Sequence, residues 1–366
     1  MSRKVVLIIL AVAMLLGLTA TTALAQAGDP IQAAADKYFT GGTKNIAAKD
    51  VFANLNDGDK SNDPYLIDIR AAADYANGHI PGAVNMTAKD LFSADGLAKL
   101  PKNKQIVVNC YTGQTASQSV AGLRMLGFDA YNLSYGIPGW GSNDKIKYSN
   151  HFGADKSGKY PVTKDAAQLP EKGEAVKPLG ATVQDAAIAY FPGGFKSIAA
   201  KDVFANLNDG DKTNDPLILD VRKAEDYALG HIAGAANVTA ANLFKAETLA
   251  KLPKKQIVVY CYTGQTASQA TSALRMLGYD AYNMQFGMPS WAIVEGVSTG
   301  VFDQAKNSGN YPFEVSAAAA AAAPAAAPAA APAAAPKTVP TTGASLLTLL
   351  LAGLGLTGAG LALRKR

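Results

Sequence analysis

The chain has two cysteines, Cys110 and Cys261, and three histidines in 366 residues. Two thiols are too few for a disulfide framework or a cysteine-built metal cluster. Charge of one sign is also missing from the body. The excess of five positive charges sits in Arg3, Lys4, Arg364, Lys365 and Arg366; without them 29 bases face 29 acids. A neutral body with no basic run excludes the clustered Lys and Arg that displace counterions from nucleic acid, so no nucleic-acid partner is expected. With 49% apolar and 17% charged residues the chain is too hydrophobic for a disordered polymer and long enough for two or more cores.

Both ends have the pattern of addresses. A basic start, Met1 to Lys4, precedes an apolar run from Val5 to Leu18 and the small-x-small triplet Ala23-Leu24-Ala25. This order predicts a secretory signal, residues 1–25, cleaved after Ala25; the apolar run is short for a membrane span. At the far end, residues 314–338 are rich in alanine and broken by Pro324, Pro328, Pro332 and Pro336. Proline at every fourth place removes backbone donors and forbids a continuous helix, which predicts a partly extended spacer. Residues 339–366 hold Val339-Pro340-Thr341-Thr342-Gly343, an apolar run from Ala344 to Leu363, and Arg-Lys-Arg. That run is long enough to span a bilayer with its basic tail on the cytoplasmic side. Pentapeptide, apolar span and basic tail in this order resemble the sortase sorting signal of Gram-positive surface proteins, with Val339 in place of the usual leucine. The resemblance implies cleavage between Thr342 and Gly343 and attachment of Thr342 to the cell wall. A permanent transmembrane anchor is the alternative. Either places the body at the cell surface, outside the cytoplasmic membrane.

Between the ends one unit is written twice. Ile46 to Lys60 recurs unchanged as Ile198 to Lys212, and the string CYTGQTASQ holds both cysteines. Copy one covers residues 34–162 and copy two 186–313, with 163–185 as a linker whose prolines and charges show no apolar period. Each repeat is long enough to bury its own core, so two domains are expected. Apolar runs at Tyr65 to Ile69, Gln105 to Asn109, Leu217 to Val221 and Gln256 to Tyr260 predict buried parallel strands. Helices are expected at Asp50 to Leu55, Ala116 to Leu126, Asp202 to Leu207 and Ala267 to Leu277. The alternation predicts an α/β fold with a mostly parallel sheet covered on both faces.

Each cysteine follows a strand and precedes a polar loop, Tyr111-Thr112-Gly113-Gln114-Thr115 or Tyr262-Thr263-Gly264-Gln265-Thr266. Ligands of open α/β sheets bind at the carboxyl ends of the strands, where this order puts the sulfur. Thr115 with Gln118, and Thr266 with Gln269, fit a capping box at the start of the helix. Loop N–H groups turned inward, together with the helix N-terminus, would lower a thiol pKa and could also hold a persulfide anion. Two plainer alternatives remain: a small buried apolar cysteine, and a Cys110–Cys261 disulfide.

Further residues make the pattern specific. Leu66-Ile67-Asp68-Ile69-Arg70, Asp74-Tyr75 and Gly78-His79-Ile80-Pro81-Gly82-Ala83-Val84-Asn85 resemble the N-terminal signature of rhodanese domains. Leu219 to Arg222, Asp226-Tyr227 and Gly230 to Asn237 repeat it, with Ala233 for the proline. The six residues from each cysteine, and the closing Gly136 to Trp140 and Gly287 to Trp291, are similar to the family's active-site loop and C-terminal pattern. The resemblance implies two rhodanese-like domains, each a five-stranded parallel sheet with helices on both faces, and sulfurtransfer. A thiolate, Cys110 or Cys261, would take sulfur from a small donor such as thiosulfate or polysulfide and pass it to a thiophilic acceptor. It would do so through a covalent persulfide, with no separate cofactor and no metal. The N–H groups of Tyr111 to Thr115 and Tyr262 to Thr266 would form the anion cradle, with Thr115 and Thr266 capping the helix and bonding the sulfur. Neither loop holds the Arg or Lys of thiosulfate-specialised members, and Ala116 and Ala267 stand where related phosphatases have arginine. An idle binding module and a thiol redox sensor are the competing functions. His79 and His231 read as structural, Asp68–Arg70 and Asp220–Arg222 as ion pairs, and Trp140 and Trp291 as core.

Overall fold

The apolar runs pair into two sheets. The computed structural model describes residues 29–147, 151–297 and 301–316. Copy one contributes β1 (Asn45–Ile46), β2 (Tyr65–Asp68), β3 (Val84–Asn85), β4 (Ile106–Asn109) and β5 (Ala130–Leu133). Copy two contributes β6 (Ser197–Ile198), β7 (Leu217–Asp220), β8 (Ala236–Asn237), β9 (Ile257–Tyr260) and β10 (Ala281–Met284). The orders are β1-β5-β4-β2-β3 and β6-β10-β9-β7-β8, with every pairing parallel. The expected five-stranded parallel sheets are therefore present. The longer helices are α1 (Pro30–Thr40), α2 (Ala48–Leu55), α3 (Gln114–Met125), α4 (Val183–Tyr190), α5 (Ala200–Leu207) and α6 (Gln265–Met276).

Strand side chains alternate between faces, and the two faces belong to different cores. Leu66, Val107 and Leu133 pack outward with Val51 of α2 and Trp140, while Ile218, Val258 and Met284 pack outward with Val203 of α5 and Trp291. Ile67, Ile106 and Val108 turn inward and join Leu217, Leu219, Ile257 and Val259 of the other copy in one central core, with α3 and α6 packed against each other. Each repeat thus has a core of its own on one face of its sheet and shares the core on the other face, and the described residues of both copies fall within one compact unit.

Terminal segments are exchanged across this interface. Phe39 on α1 of copy one stacks on Phe244 of copy two, with ring centroids 4.3 Å apart, and Phe191, just after α4, stacks on Phe92 of copy one at 3.7 Å. The segments that close the copies cross as well. Tyr160 stacks on Phe204, and the Trp291 indole N–H donates to the Pro161 carbonyl at 2.8 Å. Tyr311 stacks on Phe52, and the Trp140 indole donates to the Pro312 carbonyl at 2.8 Å. Short bridges, Thr163 with His231 and Glu314 with His79, extend the exchange.

Residues 163–185 run along copy two. The N–H groups of Gly173, Glu174 and Leu179 donate to the carbonyls of Ala250, Leu252 and Met276 at 2.7, 3.0 and 3.0 Å. The expected signal ending at Ala25, the Ala/Pro spacer beyond Ser316, and the sorting signal with Thr342 and Gly343 lie outside the described residues. Among those residues no helix is long and apolar enough to cross a membrane.

A shared core makes a testable demand. Phe244→Ala should cost about 3–5 kcal/mol, the range for emptying a buried aromatic site. Hydrogen exchange should then accelerate in β4 of copy one as well as in β9 of copy two. Faster exchange confined to copy two would show two independent cores.

Candidate active site

Each site is assembled where a central strand meets a helix. In copy one β4 ends at Asn109, Cys110 follows, and Gly113 takes a left-handed conformation (φ 81°) that turns the chain into α3. The helix starts at Gln114, two residues before the predicted start, so Thr115 lies inside its first turn. That turn points N–H groups at the sulfur: Gly113 donates to Cys110 Sγ at 3.1 Å and Ala116 at 3.3 Å. In copy two Ala267 donates to Cys261 Sγ at 3.4 Å.

The predicted capping box does not form. Gly113 and Gly264 occupy the cap positions, and neither helix has a side-chain cap bond. Gln118 instead reaches the other copy, where its carbonyl oxygen accepts from the Tyr190 hydroxyl at 2.7 Å and from the Lys196 N–H at 3.2 Å. Gln269 accepts from the Tyr38 hydroxyl in the same way. The hydroxyl of Thr266 lies 3.5 Å from that of Thr43, and among the described hydrogen bonds no threonine hydroxyl of either loop bonds the sulfur. The sequence pattern T-x-x-Q was real, but its glutamine serves the interface.

Both thiols are free and buried, so the disulfide alternative is not realised. Burial pushes the Cys261 thiol above its ordinary pKa, and the surrounding N–H groups of Ala267, Thr263, Gly264 and Thr266 only partly oppose it. This corrects the expectation of a lowered thiol at Cys261: desolvation of a completely enclosed sulfur outweighs the backbone dipoles. The cradle is also shifted from the predicted one, with Ala116 and Ala267 in it.

The turn after the last strand covers each loop. The Ile137 and Met288 N–H groups donate to the Cys110 and Cys261 carbonyls at 2.8 and 2.7 Å. A Cβ on Gly136 would fall 2.5 Å from the Cys110 carbonyl oxygen, and one on Gly287 would fall 2.3 Å from that of Cys261, so only glycine allows this approach. Tyr135 and Phe286, which precede these glycines, are held at positive φ (64° and 63°). The two loops then reach across to each other's turn. Gln114 donates from its amide to Thr112 Oγ1 of its own loop at 3.2 Å and accepts from the Phe286 N–H of copy two at 2.9 Å. Gln265 donates to Thr263 Oγ1 at 3.3 Å and accepts from Asn132 at 2.7 Å and from the Tyr135 N–H at 3.4 Å.

Supporting residues behave as their types suggest. Arg70 and Asp68 form a fully buried bidentate pair, with Nη2 2.7 Å from Oδ2, and Arg222 with Asp220 repeat it at 2.6 Å. The first loop tyrosine braces the rim: the Tyr111 hydroxyl donates to Asp74 at 2.5 Å, and that of Tyr262 donates to Asp226. His79 and His231 stack on Tyr75 and Tyr227 and bond their carbonyls through Nδ1. Among the described residues no group of three His, Cys, Asp or Glu side chains is placed to hold a metal. One residue beside the loops was missed. His151 is buried between Tyr135 and Phe302, with nothing in its sequence neighbourhood to mark it.

The family profile of the rhodanese-like domain matches residues 47–143 and 199–293, more than half of the chain. The chain belongs to the rhodanese-like domain family. Among curated proteins the chain is 37% identical over 76 residues to the probable adenylyltransferase/sulfurtransferase MoeZ of Mycobacterium tuberculosis, covering 20% of this chain and 19% of that protein. The chain therefore spans about a fifth of that relative's length. The thiosulfate sulfurtransferase GlpE of Pseudomonas savastanoi is 34% identical over 76 residues, 20% of this chain and 70% of that enzyme. Among solved structures, a rhodanese-like domain protein from Staphylococcus aureus is 25% identical over 29% of this chain and 98% of its own, with a TM-score of 0.25. The thiosulfate sulfurtransferase of Pseudomonas aeruginosa is 18% identical over 79% of this chain and 49% of its own, with a TM-score of 0.26. At the level of superfamily the chain is sulfurtransferase-like.

His151 gives this rhodanese-like pair a pH signature. Burial lowers its pKa from 6.5 to about 4, so between those values the unfolded chain holds more protons than the folded one. Its contribution is complete above pH 6.5 and is lost as the pH falls toward 4, amounting to about 3 kcal/mol over the window. Denaturant titrations should show this slope in the wild type and a flatter one in His151→Phe; equal slopes would place the ring in contact with water.

Proposed function

We propose that the protein is a surface-anchored, extracytoplasmic sulfurtransferase that carries sulfane sulfur on Cys110 and Cys261. The observation that carries this reading is the pair of free cysteines at the carboxyl ends of β4 and β9, each with helix N-terminal N–H groups turned onto the sulfur. A thiolate attacks the outer sulfur of the donor. A new S–S bond forms to the cysteine, the donor's own bond breaks, and its electron pair leaves with sulfite or a shortened polysulfide. The persulfide anion so formed spreads its charge over the terminal sulfur, where the backbone N–H groups stabilise it. Attack by cyanide or an acceptor thiolate on that sulfur returns the cysteine thiolate and closes the cycle without a cofactor.

Neither six-residue loop, Cys110–Thr115 or Cys261–Thr266, contains Arg or Lys. A sulfonate dianion then meets only dipoles there, which favours polysulfide over thiosulfate as donor. Ala116 and Ala267 stand where a phosphatase needs its bidentate arginine, which disfavours phosphoryl chemistry.

Intact mass after exposure to polysulfide should show two discrete sulfur additions, both removed by cyanide. Cys110→Ser and Cys261→Ser should each delete one, and the specificity constant should favour polysulfide. Turnover by the double variant, or a strong preference for thiosulfate, would remove the nucleophile assignment or the donor assignment respectively.

The surface location rests on the sequence alone: a signal ending at Ala25 and Val339-Pro340-Thr341-Thr342-Gly343 ahead of an apolar run and Arg-Lys-Arg. In the host, the mature protein should resist boiling detergent, be released by wall hydrolases, and end at Thr342. Recovery by detergent with Arg366 intact would leave a membrane anchor and discard the sortase reading.

A further inference from the structure

Gln114 and Gln265 each stand four residues after the cysteine of their own loop, and each is only 5% exposed. The amide nitrogen stays at home, donating to Thr112 Oγ1 at 3.2 Å in one copy and to Thr263 Oγ1 at 3.3 Å in the other. That bond fixes which end of the amide points away, so the carbonyl oxygen is presented to the other copy. Gln265 Oε1 accepts there from Asn132 Nδ2 at 2.7 Å and from the Tyr135 N–H at 3.4 Å, and Gln114 Oε1 accepts from the Phe286 N–H at 2.9 Å. Among the described hydrogen bonds these two N–H groups have no other acceptor.

The contacts land beside the other copy's sulfur. A Cβ on Gly113 would fall 2.9 Å from Gln265 Oε1 and 3.1 Å from the Tyr135 nitrogen, so glutamine, turn and loop lie against one another. Gly113 is the residue whose N–H donates to Cys110 Sγ at 3.1 Å. Gly136, next in the turn, closes on the same peptide: its Cβ would fall 2.6 Å from the Gly113 nitrogen. Copy two repeats the arrangement, with a Cβ on Gly264 falling 2.5 Å from Gln114 Oε1 and 2.8 Å from the Phe286 nitrogen. Tyr135 and Phe286 are held at positive φ, a conformation that side-chain-bearing residues keep only under restraint, and the glutamine oxygen on each N–H supplies one.

We propose that Gln114 and Gln265 are positioning residues that act across the interface. Gln265 of copy two holds the Tyr135–Gly136 turn against Gly113 and so sets the donor at Cys110. Gln114 of copy one holds the Phe286–Gly287 turn against Gly264 beside Cys261. Each cysteine therefore depends on a glutamine from the loop of the other cysteine. The restraint needs no sulfur chemistry; its effect on turnover rests on the function proposed above.

Hydrogen exchange of the full chain, resolved by amide, tests the restraint. In the wild type the Tyr135 and Phe286 N–H groups should be protected; exchange as fast as in an open turn would overturn the proposal. Gln265→Met should speed exchange at Tyr135 about three- to tenfold, the range of one neutral hydrogen bond, and leave Phe286 protected. Gln265→Glu keeps an oxygen acceptor in either protonation state and should restore the protection. Equal acceleration at both turns, or no rescue by glutamate, would reduce the residue to interface packing. Turnover of polysulfide with cyanide then tests the consequence in single-cysteine chains. With Cys261→Ser, where only Cys110 can turn over, adding Gln265→Met should slow the reaction by a similar factor although its own loop is idle. With Cys110→Ser the same substitution should cost less, and Gln114→Met should show the reverse pattern. Loss confined to the cysteine of the substituted loop would overturn the proposal. If the exchange pattern holds but polysulfide loads neither cysteine, the cross-copy restraint stands and the sulfurtransferase reading falls.

Discussion

The stacking of Phe39 on Phe244 and of Phe191 on Phe92 is the constraint on which the molecule depends, because it closes a central core that neither copy closes alone. With the leading helices exchanged, α3 and α6 are forced together, and the loops that precede them meet at the same interface. The sites are consequently not grafted onto two finished domains. Each loop takes its shape from its own strand and helix and its restraint from the other copy, through Gln114 on Phe286 and Gln265 on Asn132 and Tyr135.

Electrostatics at the sulfur follow from that enclosure. Helix N-terminal N–H groups favour a thiolate, while burial disfavours any charge, and the balance is settled by how many donors close on the atom. The Cys110 sulfur accepts from Gly113 and Ala116, and the Cys261 sulfur accepts from Ala267 with the N–H groups of Thr263, Gly264 and Thr266 around it. The repeats share the string CYTGQTASQ and differ just before the cysteine, with Asn109 in one and Tyr260 in the other. The Tyr260 ring is enclosed beside Arg222, its centroid 5.5 Å from the guanidinium, and burial holds its hydroxyl well above the usual phenol pKa.

Strands, helices, the cysteine position and the buried Asp–Arg pairs were legible in the sequence because each is decided by neighbours a few residues apart. Apolar runs such as Gln105 to Asn109 identify a strand whatever packs on it, and Asp68 and Arg70 stand two residues apart at the end of β2. The interface was not legible. Thr115-x-x-Gln118 has the same letters whether the glutamine caps its own helix or accepts from Tyr190, and only the exchanged position of α4 decides between them. Phe39 and Phe244 are separated by about two hundred residues, and no local period records that they meet. His151 escaped notice for the same reason: the rings that enclose it are Tyr135, Phe286 and Phe302, none of them near it in the chain.

The crossing of the closing segments also decides which copy holds the last described residues. The described chain ends at Ser316, whose N–H donates to the Ala76 carbonyl, directly after the bridge between Glu314 and His79. The last described residues thus lie against copy one, although copy two precedes them in sequence. A pull on Ser316 would load these backbone bonds first and then the contacts of Tyr311 and Phe313 with Phe52 and Trp140, all of them on copy one. Copy two, joined to copy one through the shared core and the reciprocal contacts of Tyr160, Pro161 and Thr163, lies behind those bonds.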